Sequence, residues 1–187
     1  VNGKVHVPVM PAEVIEYGKP TLGQTWIDGT GGAGGHSQLI AGAIGEDGRL
    51  LTVDQDPQAC EFLQGSLPGH VHVANCSYHQ VPELPNIDQY SSVQGILLDL
   101  GLSSDQLEDE DRGFSFRGDG PLDMRYDTSQ GRPAWEWLQY SSEKEIADSI
   151  YQFGEERFSR RIARKIVEQR RANPVRTVAQ LRELIYG

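Results

Sequence analysis

The sequence predicts an α/β fold, a parallel sheet with helices on its faces, followed by an all-helical arm. Three observations carry this. Short β-prone runs alternate with helix signals between residues 25 and 99. Three of those runs lead into an aspartate, at Asp28, Asp54 and Asp99. From Ser142 onward only helix caps and helical periods recur.

The elements follow in order. Thr25-Trp26-Ile27 is a short strand ending in Asp28, and a glycine-rich turn leads into a helix from Ser37 to Ile44. Leu50-Leu51-Thr52-Val53 is a second strand ending in Asp54. Asp56 then caps a helix whose first position is Pro57. Val71-His72-Val73 is a third strand, and Ile96-Leu97-Leu98 is a fourth that ends in Asp99. The continuous apolar run of the fourth suits a sheet buried on both sides. The segment 101–132 has neither period and reads as an ordered active-site loop, with Phe114, Phe116, Leu122 and Met124 to bury. Ser142 with Glu145 is a capping box for a helix ending at Gly154. In the helix from Glu155 to Arg171, Phe158, Ile162 and Ile166 form the expected buried stripe. Thr177 with Gln180 caps a last helix that runs to Tyr186.

Composition excludes several classes. No apolar run approaches the ~20 residues that span a bilayer, so no membrane partner is expected. Val1 to Met10 lacks a charged head before an apolar stretch, which predicts no signal peptide. Cys60 and Cys76 read as free thiols, and their spacing predicts no metal site. Net charge is −10, yet residues 155–187 carry nine basic and four acidic residues, a net of +5. The other 154 residues carry 8 basic and 23 acidic ones, a net of −15. The basic end reads either as an RNA-facing surface or as a solvated helix face.

The chemistry concentrates in Asp28-Gly29-Thr30-Gly31-Gly32-Ala33-Gly34-Gly35-His36-Ser37, between the first strand and the first helix. Glycines there let a ligand approach the backbone, and the helix start favours negative charge. Asp54 stands where an acid takes ribose hydroxyls in nucleotide-binding sheets, Asp99 ends the fourth strand, where ligands sit, and Asp28, Asp54 and Asp99 are all expected to project there. A dinucleotide and S-adenosylmethionine both fit the pattern. An acid-lined pocket suits a sulfonium cation better than a pyrophosphate.

The sequence resembles the ribosomal RNA cytosine-N4 methyltransferase family known as RsmH or MraW. The resemblance runs from His6 to the last residue. It includes His6-Val7-Pro8-Val9-Met10, Asp28-Gly29-Thr30 with Gly34-Gly35-His36-Ser37, and Asp54-Gln55-Asp56-Pro57. It continues through Leu98-Asp99-Leu100-Gly101-Leu102-Ser103-Ser104-Asp105-Gln106-Leu107. Its most specific stretch is Arg112-Gly113-Phe114-Ser115-Phe116 with Asp119-Gly120-Pro121-Leu122-Asp123-Met124-Arg125. Gly154-Glu155-Glu156-Arg157 and Arg160-Arg161-Ile162-Ala163 complete it.

The resemblance implies a Rossmann-like class I methyltransferase sheet with a helical insertion arm. The expected domains are residues 1–132 for the cofactor and 133–187 for part of the insertion. It implies S-adenosyl-L-methionine bound at Gly34, Gly35, His36, Asp54, Asp99 and Gln106. The family's aromatic position falls on Cys76, with Tyr78 two residues along as a substitute. The implied reaction is methylation of the exocyclic N4 of a cytidine in 16S ribosomal RNA, on the small ribosomal subunit, in the cytoplasm. Asp99, or a backbone carbonyl beside it, is the candidate for orienting the amine, Ser103 and Ser104 are placed to assist through hydrogen bonds, and Asp123 is a second candidate for the proton acceptor. Arg112, Arg117 and Arg125 are either RNA contacts or salt-bridge partners of nearby acids. Relative to the family the chain lacks later strands with a Phe-His-Ser-Leu-Glu-Asp motif, so the sheet is expected to be incomplete. A non-catalytic RNA-binding relative and an NAD-dependent oxidoreductase are the alternatives, and a homodimer stays open beside a monomer.

Overall fold

The computed structural model describes residues 7–90 and 92–187, so His6 and the rest of residues 1–6 lie outside the described residues. The chain forms two compact units, Val1–Gly101 and Leu102–Gly187.

The first unit is a four-stranded parallel sheet in the order β3-β2-β1-β4. Its strands are β1 (Thr25–Asp28), β2 (Arg49–Asp54), β3 (Val71–Asn75) and β4 (Val93–Leu97). Three helices, α1 (Pro11–Gly18), α2 (Gly35–Ile44) and α3 (Pro57–Ser66), accompany them. Successive side chains of β1 and β2 point to opposite faces, and both faces are covered. Trp26 and Leu50 pack with Ile40, Ala41, Ile44 and Val71 on one side. Ile27, Leu51 and Val53 pack with Val81 and Tyr90 on the other. Asp56 caps α3, with Pro57 at its first position, as the sequence predicts.

The fourth strand corrects two expectations. It begins at Val93 rather than Ile96 and ends at Leu97, two residues before Asp99. Gln94 and Gly95 hide its start in the sequence, and Gly95 is there because a Cβ would lie 2.3 Å from the Trp26 ring. Nor is β4 buried on both sides. It is the sheet edge, and Ile96 is 64% exposed.

The second unit is held by one apolar cluster, in which Leu122 joins Leu138, Ile146, Ala163, Ile166, Val175, Val178 and Leu184. Its helices are α4 (Ser104–Glu108), α5 (Ala134–Tyr140), α6 (Glu143–Gly154), α7 (Ser159–Gln169) and α8 (Val178–Tyr186). The capping boxes of α6 at Ser142/Glu145 and of α8 at Thr177/Gln180 form as predicted. Of the expected stripe in α7, Ile166 is buried and Ile162 packs half-buried against the cluster, while Ser159 and Ala163 take the place expected for Phe158. Phe158 sits at the N-cap and is 42% exposed. The small residues of the true stripe let neighbouring helices approach closely.

The segment 102–132 packs within this second unit. Leu122 is buried as expected, but Phe114 is only partly buried and Phe116 and Met124 are exposed. Hydrogen bonds order it instead. Buried Arg112 donates to the carbonyls of Arg125 (3.1 Å) and Tyr126 (2.8 Å), and the Met124 N–H donates to the Arg112 carbonyl (2.9 Å). No helix among the described residues is long and apolar enough to cross a membrane.

Candidate functional site

The glycine loop 29–35 joins β1 to α2 at the carboxyl ends of the strands. Three bonds fix its course. The Gly29 N–H donates to the Leu97 carbonyl and the Gly31 N–H to the Val53 carbonyl, each at 2.9 Å, tying the loop to the strands on either side. The Gly32 N–H donates to Asp54 Oδ2 at 2.8 Å. Gly34 caps α2 at φ 81, a left-handed backbone that glycine adopts without strain.

Asp28, expected to face the ligand, is turned inward and fully buried. Its carboxylate accepts from the Ser37 hydroxyl at 2.6 Å and from the Thr30 N–H at 3.1 Å. Burial pushes its carboxyl above the ordinary carboxylate range, against the lowering pull of those bonds. Asp28 is therefore a brace under the loop.

Asp54 lies at the partly exposed end of β2. Its two oxygens each take a backbone N–H, from Gly32 at 2.8 Å and from Asp56 at 2.9 Å. Asp56 caps α3 as read from the sequence, but Asp54 is engaged in its own right. Each carboxylate oxygen has a second lone pair for a further donor.

Asp99 is exposed, and its N–H donates to the Thr30 hydroxyl at 2.8 Å. Asp99 Oδ2 stands 3.7 Å from Nδ1 of buried His36, whose Nε2 lies 2.8 Å from the Val9 carbonyl oxygen. The ring thus links the N-terminal segment to Asp99, two residues beyond β4. Thr30 escaped the sequence reading, since nothing in its context distinguishes its hydroxyl from a solvated one.

Cys76 packs partly buried beside the cluster of Ile27 and Val53, and burial pushes its thiol up. Both cysteines are free. Buried Cys60 has its thiol pushed up to about 11, first by burial and then by Asp54. Tyr78 is exposed, and a Cβ on Gly29 would lie 2.9 Å from the Tyr78 Cβ, so this tyrosine stands beside the glycine loop.

The remaining candidates lie in the second unit. Ser103 and Gln106 form a capping box on α4, each side chain accepting the other's backbone N–H at 3.1 Å. The spacing Ser-x-x-Gln announces this box in the sequence. Asp123 is gripped by Arg125 through Nε at 2.8 Å and Nη2 at 2.7 Å. That hydrogen bonding holds its carboxyl below the usual range. Arg112 is the loop brace described above, and Arg117 lies over the ring of Phe116 at 6.0 Å.

Comparison with known proteins agrees with the motif pattern. The sequence profile of the MraW methylase family matches residues 3–187. The chain is 46% identical over 182 residues to a ribosomal RNA small subunit methyltransferase H of Xanthomonas euvesicatoria, covering 96% of this chain and 53% of the relative. It is 43% identical over 183 residues to the protein of the same name from Alcanivorax borkumensis, covering 96% and 58%. The Xanthomonas oryzae protein of that name is 44% identical over 182 residues, covering 96% and 53%. The chain thus spans about half the length of the curated relatives it matches. With its glycine loop, Asp54 and Asp99 placed as they are and nearly every residue matched, this chain belongs to the MraW methylase family.

Proposed function

We propose that this chain is the cofactor-binding part of an S-adenosylmethionine-dependent methyltransferase acting on the exocyclic N4 of a cytidine in 16S ribosomal RNA. The observation that carries the reading is the charge of the loop. Asp54 and Asp99 stand at the strand ends, and no Lys or Arg lies between Thr25 and Ile44. A pyrophosphate would be held there without a side-chain cation, which disfavours the NAD alternative, whereas a sulfonium would meet two carboxylates. The residues present fit S-adenosylmethionine in two further ways. Asp54 has free lone pairs for ribose hydroxyls, and the exposed Tyr78, whose Cβ stands against Gly29, offers a ring where Cys76 cannot stack.

When bound, that group supplies a methyl on a positively charged sulfur. The residues of this chain do the rest. The cytidine amine is a weak nucleophile because its lone pair conjugates with the ring, so it must be held about 3 Å from the methyl group and in line. Asp99 would accept a hydrogen bond from the amine and take the proton that the nitrogen gives up as the methyl carbon passes to it and the S–C bond pair stays on sulfur. The Thr30 hydroxyl fixes the Asp99 backbone, and Asp54 fixes the loop. Ser103, Gln106 and Asp123 are each engaged within the second unit, so the acceptor role rests on Asp99. Residues 1–132 are assigned to cofactor binding and the active-site loop, and 133–187 to the helical arm. The small ribosomal subunit is the proposed partner and the cytoplasm the place of work. The named relatives support this reading.

Calorimetric titration with S-adenosylmethionine and with NAD tests the cofactor. Labelled-methyl transfer to unmethylated small subunits, followed by nucleoside analysis, tests the target. The expected result is binding of the first ligand alone and label in N4-methylcytidine. Absence of S-adenosylmethionine binding would remove the reading, and label in another nucleoside would replace the target.

A further inference from the structure

Resting on the RNA-substrate reading, we infer that the corner between α6 and α7 is a docking surface for single-stranded RNA. Phe153 stacks on a base, and Arg157, Arg160 and Arg161 take phosphates. The chain is acidic as a whole, yet residues 155–171 hold seven basic residues against three acidic ones. Local stability does not account for this placement. Arg160 and Arg161 occupy the first turn of α7, which has no acidic residue, and a helix start disfavours cations. Other basic residues of the unit are engaged: Arg164 lies 3.7 Å from Glu143, Arg182 lies 3.7 Å from Asp119, and Arg170 donates to the carbonyls of Leu138 and Ser141. Arg157, Arg160 and Arg161 have no hydrogen bond or ion pair with any described residue. Glu156, the nearby acid, is occupied by the Phe158 N–H at 2.7 Å.

Two of these cations are held in place for use. The Arg157 and Arg161 guanidiniums each lie 4.6 Å from the centroid of the same ring, Phe158. Stacking engages a guanidinium face and leaves its N–H edges to a phosphate. Four residues before Arg157, Phe153 is 85% exposed at the end of α6, with Tyr151 exposed in the same turn. Large rings in water beside unpaired guanidiniums are the combination that single-stranded nucleic acid uses: bases stack on rings and the backbone meets cations. An acidic or uncharged partner protein would need the cations or the rings, but not the two interleaved.

The test is fluorescence anisotropy of the 187-residue chain with a labelled single-stranded RNA of about 16 nucleotides across a salt series. The expected slope of log affinity against log salt falls by about 2 in R157A/R160A/R161A, as three lost phosphate contacts require. The triple lysine variant keeps the slope, because charge is kept. Phe153→Ala weakens binding about tenfold at unchanged slope. Circular dichroism monitors folding. Should the triple variant lose helix, Arg160→Ala alone decides, with a slope change of about 0.7 expected. An unchanged slope in a folded variant would overturn the docking surface, as would lost affinity for anionic vesicles with RNA binding intact. S-adenosylmethionine titration of the same variants separates the two proposals. Lost cofactor binding in the parent chain strikes the methyltransferase reading, and RNA binding indifferent to these arginines strikes only the surface.

Discussion

In the sheet unit the fully buried side chains include Asp28, Ser37 and Thr52 beside Ile40, Ile44 and Leu50. In the helical unit the fully buried ones are Ile146 and Ile166, and the charges of α7 stand outside. The two units therefore spend polarity differently. Under the glycine loop a buried carboxylate and two hydroxyls form a small network, at the cost of desolvation, that fixes where backbone N–H groups point. Around α7 the core is apolar but for the small Ser159, and the charged surface is available for contact. A precise small-molecule pocket needs the first arrangement, and a broad polyanion surface needs only the second.

The sharpest way to break this contrast is Asp99→Ala. Methyl transfer is expected to fall about 10²- to 10⁴-fold, as loss of a proton acceptor does. Unchanged turnover in labelled-methyl assays would remove Asp99 from the chemistry. Next in size, Ile166→Ala in the helical core is expected to cost about 2–5 kcal/mol in urea unfolding, whereas Arg160→Ala on the same helix should stay within about 0.5 kcal/mol. Equal costs would mean that the outer face is structural. Asp54→Asn leaves one of two backbone N–H groups, those of Gly32 and Asp56, facing an amide donor and the other on a neutral acceptor. Affinity for S-adenosylmethionine should drop by about 1.5–3 kcal/mol in calorimetry, with a smaller change in unfolding. Ser142→Ala removes the α6 cap, and about 1 kcal/mol of stability should go with it.

The smallest effect is a pH dependence. Burial raises the Asp28 carboxyl above its ordinary value. Between those two values the folded chain holds the proton and the unfolded chain does not, so stability falls as pH rises through that window. Asp28→Asn should flatten the dependence, as read from urea midpoints between about pH 4 and about pH 7. A D28N chain whose midpoint follows the same pH slope as the parent would contradict the buried brace.

Much of the fold was legible because it is written locally. The boxes at Ser142/Glu145 and Thr177/Gln180, the Asp56-Pro57 start and the strands ending in Asp28 and Asp54 all depend on neighbours a few residues away. The misread elements depend on distant ones. Gly95 makes sense only against Trp26, and Phe158 was placed in a core stripe that in fact runs through Ser159 and Ala163. The Ser103/Gln106 box is readable from its spacing, although the sequence reading gives Ser103 an assisting role in the chemistry and Gln106 a place at the cofactor.

The sequence by itself determined the α/β class, the glycine loop with its acids, and the family. Alternation of short apolar runs, a turn chemistry and a long ordered motif string are all properties of chain order. Only the tertiary structure decided what each acid does. Asp28, Asp54 and Asp99 look alike at strand ends, yet one is sealed under the loop by Ser37 and Thr52, one braces it through Gly32, and one stands open beside Thr30 and His36. A carboxylate's role is set by burial and by the donors that surround it, and those donors come from other parts of the chain.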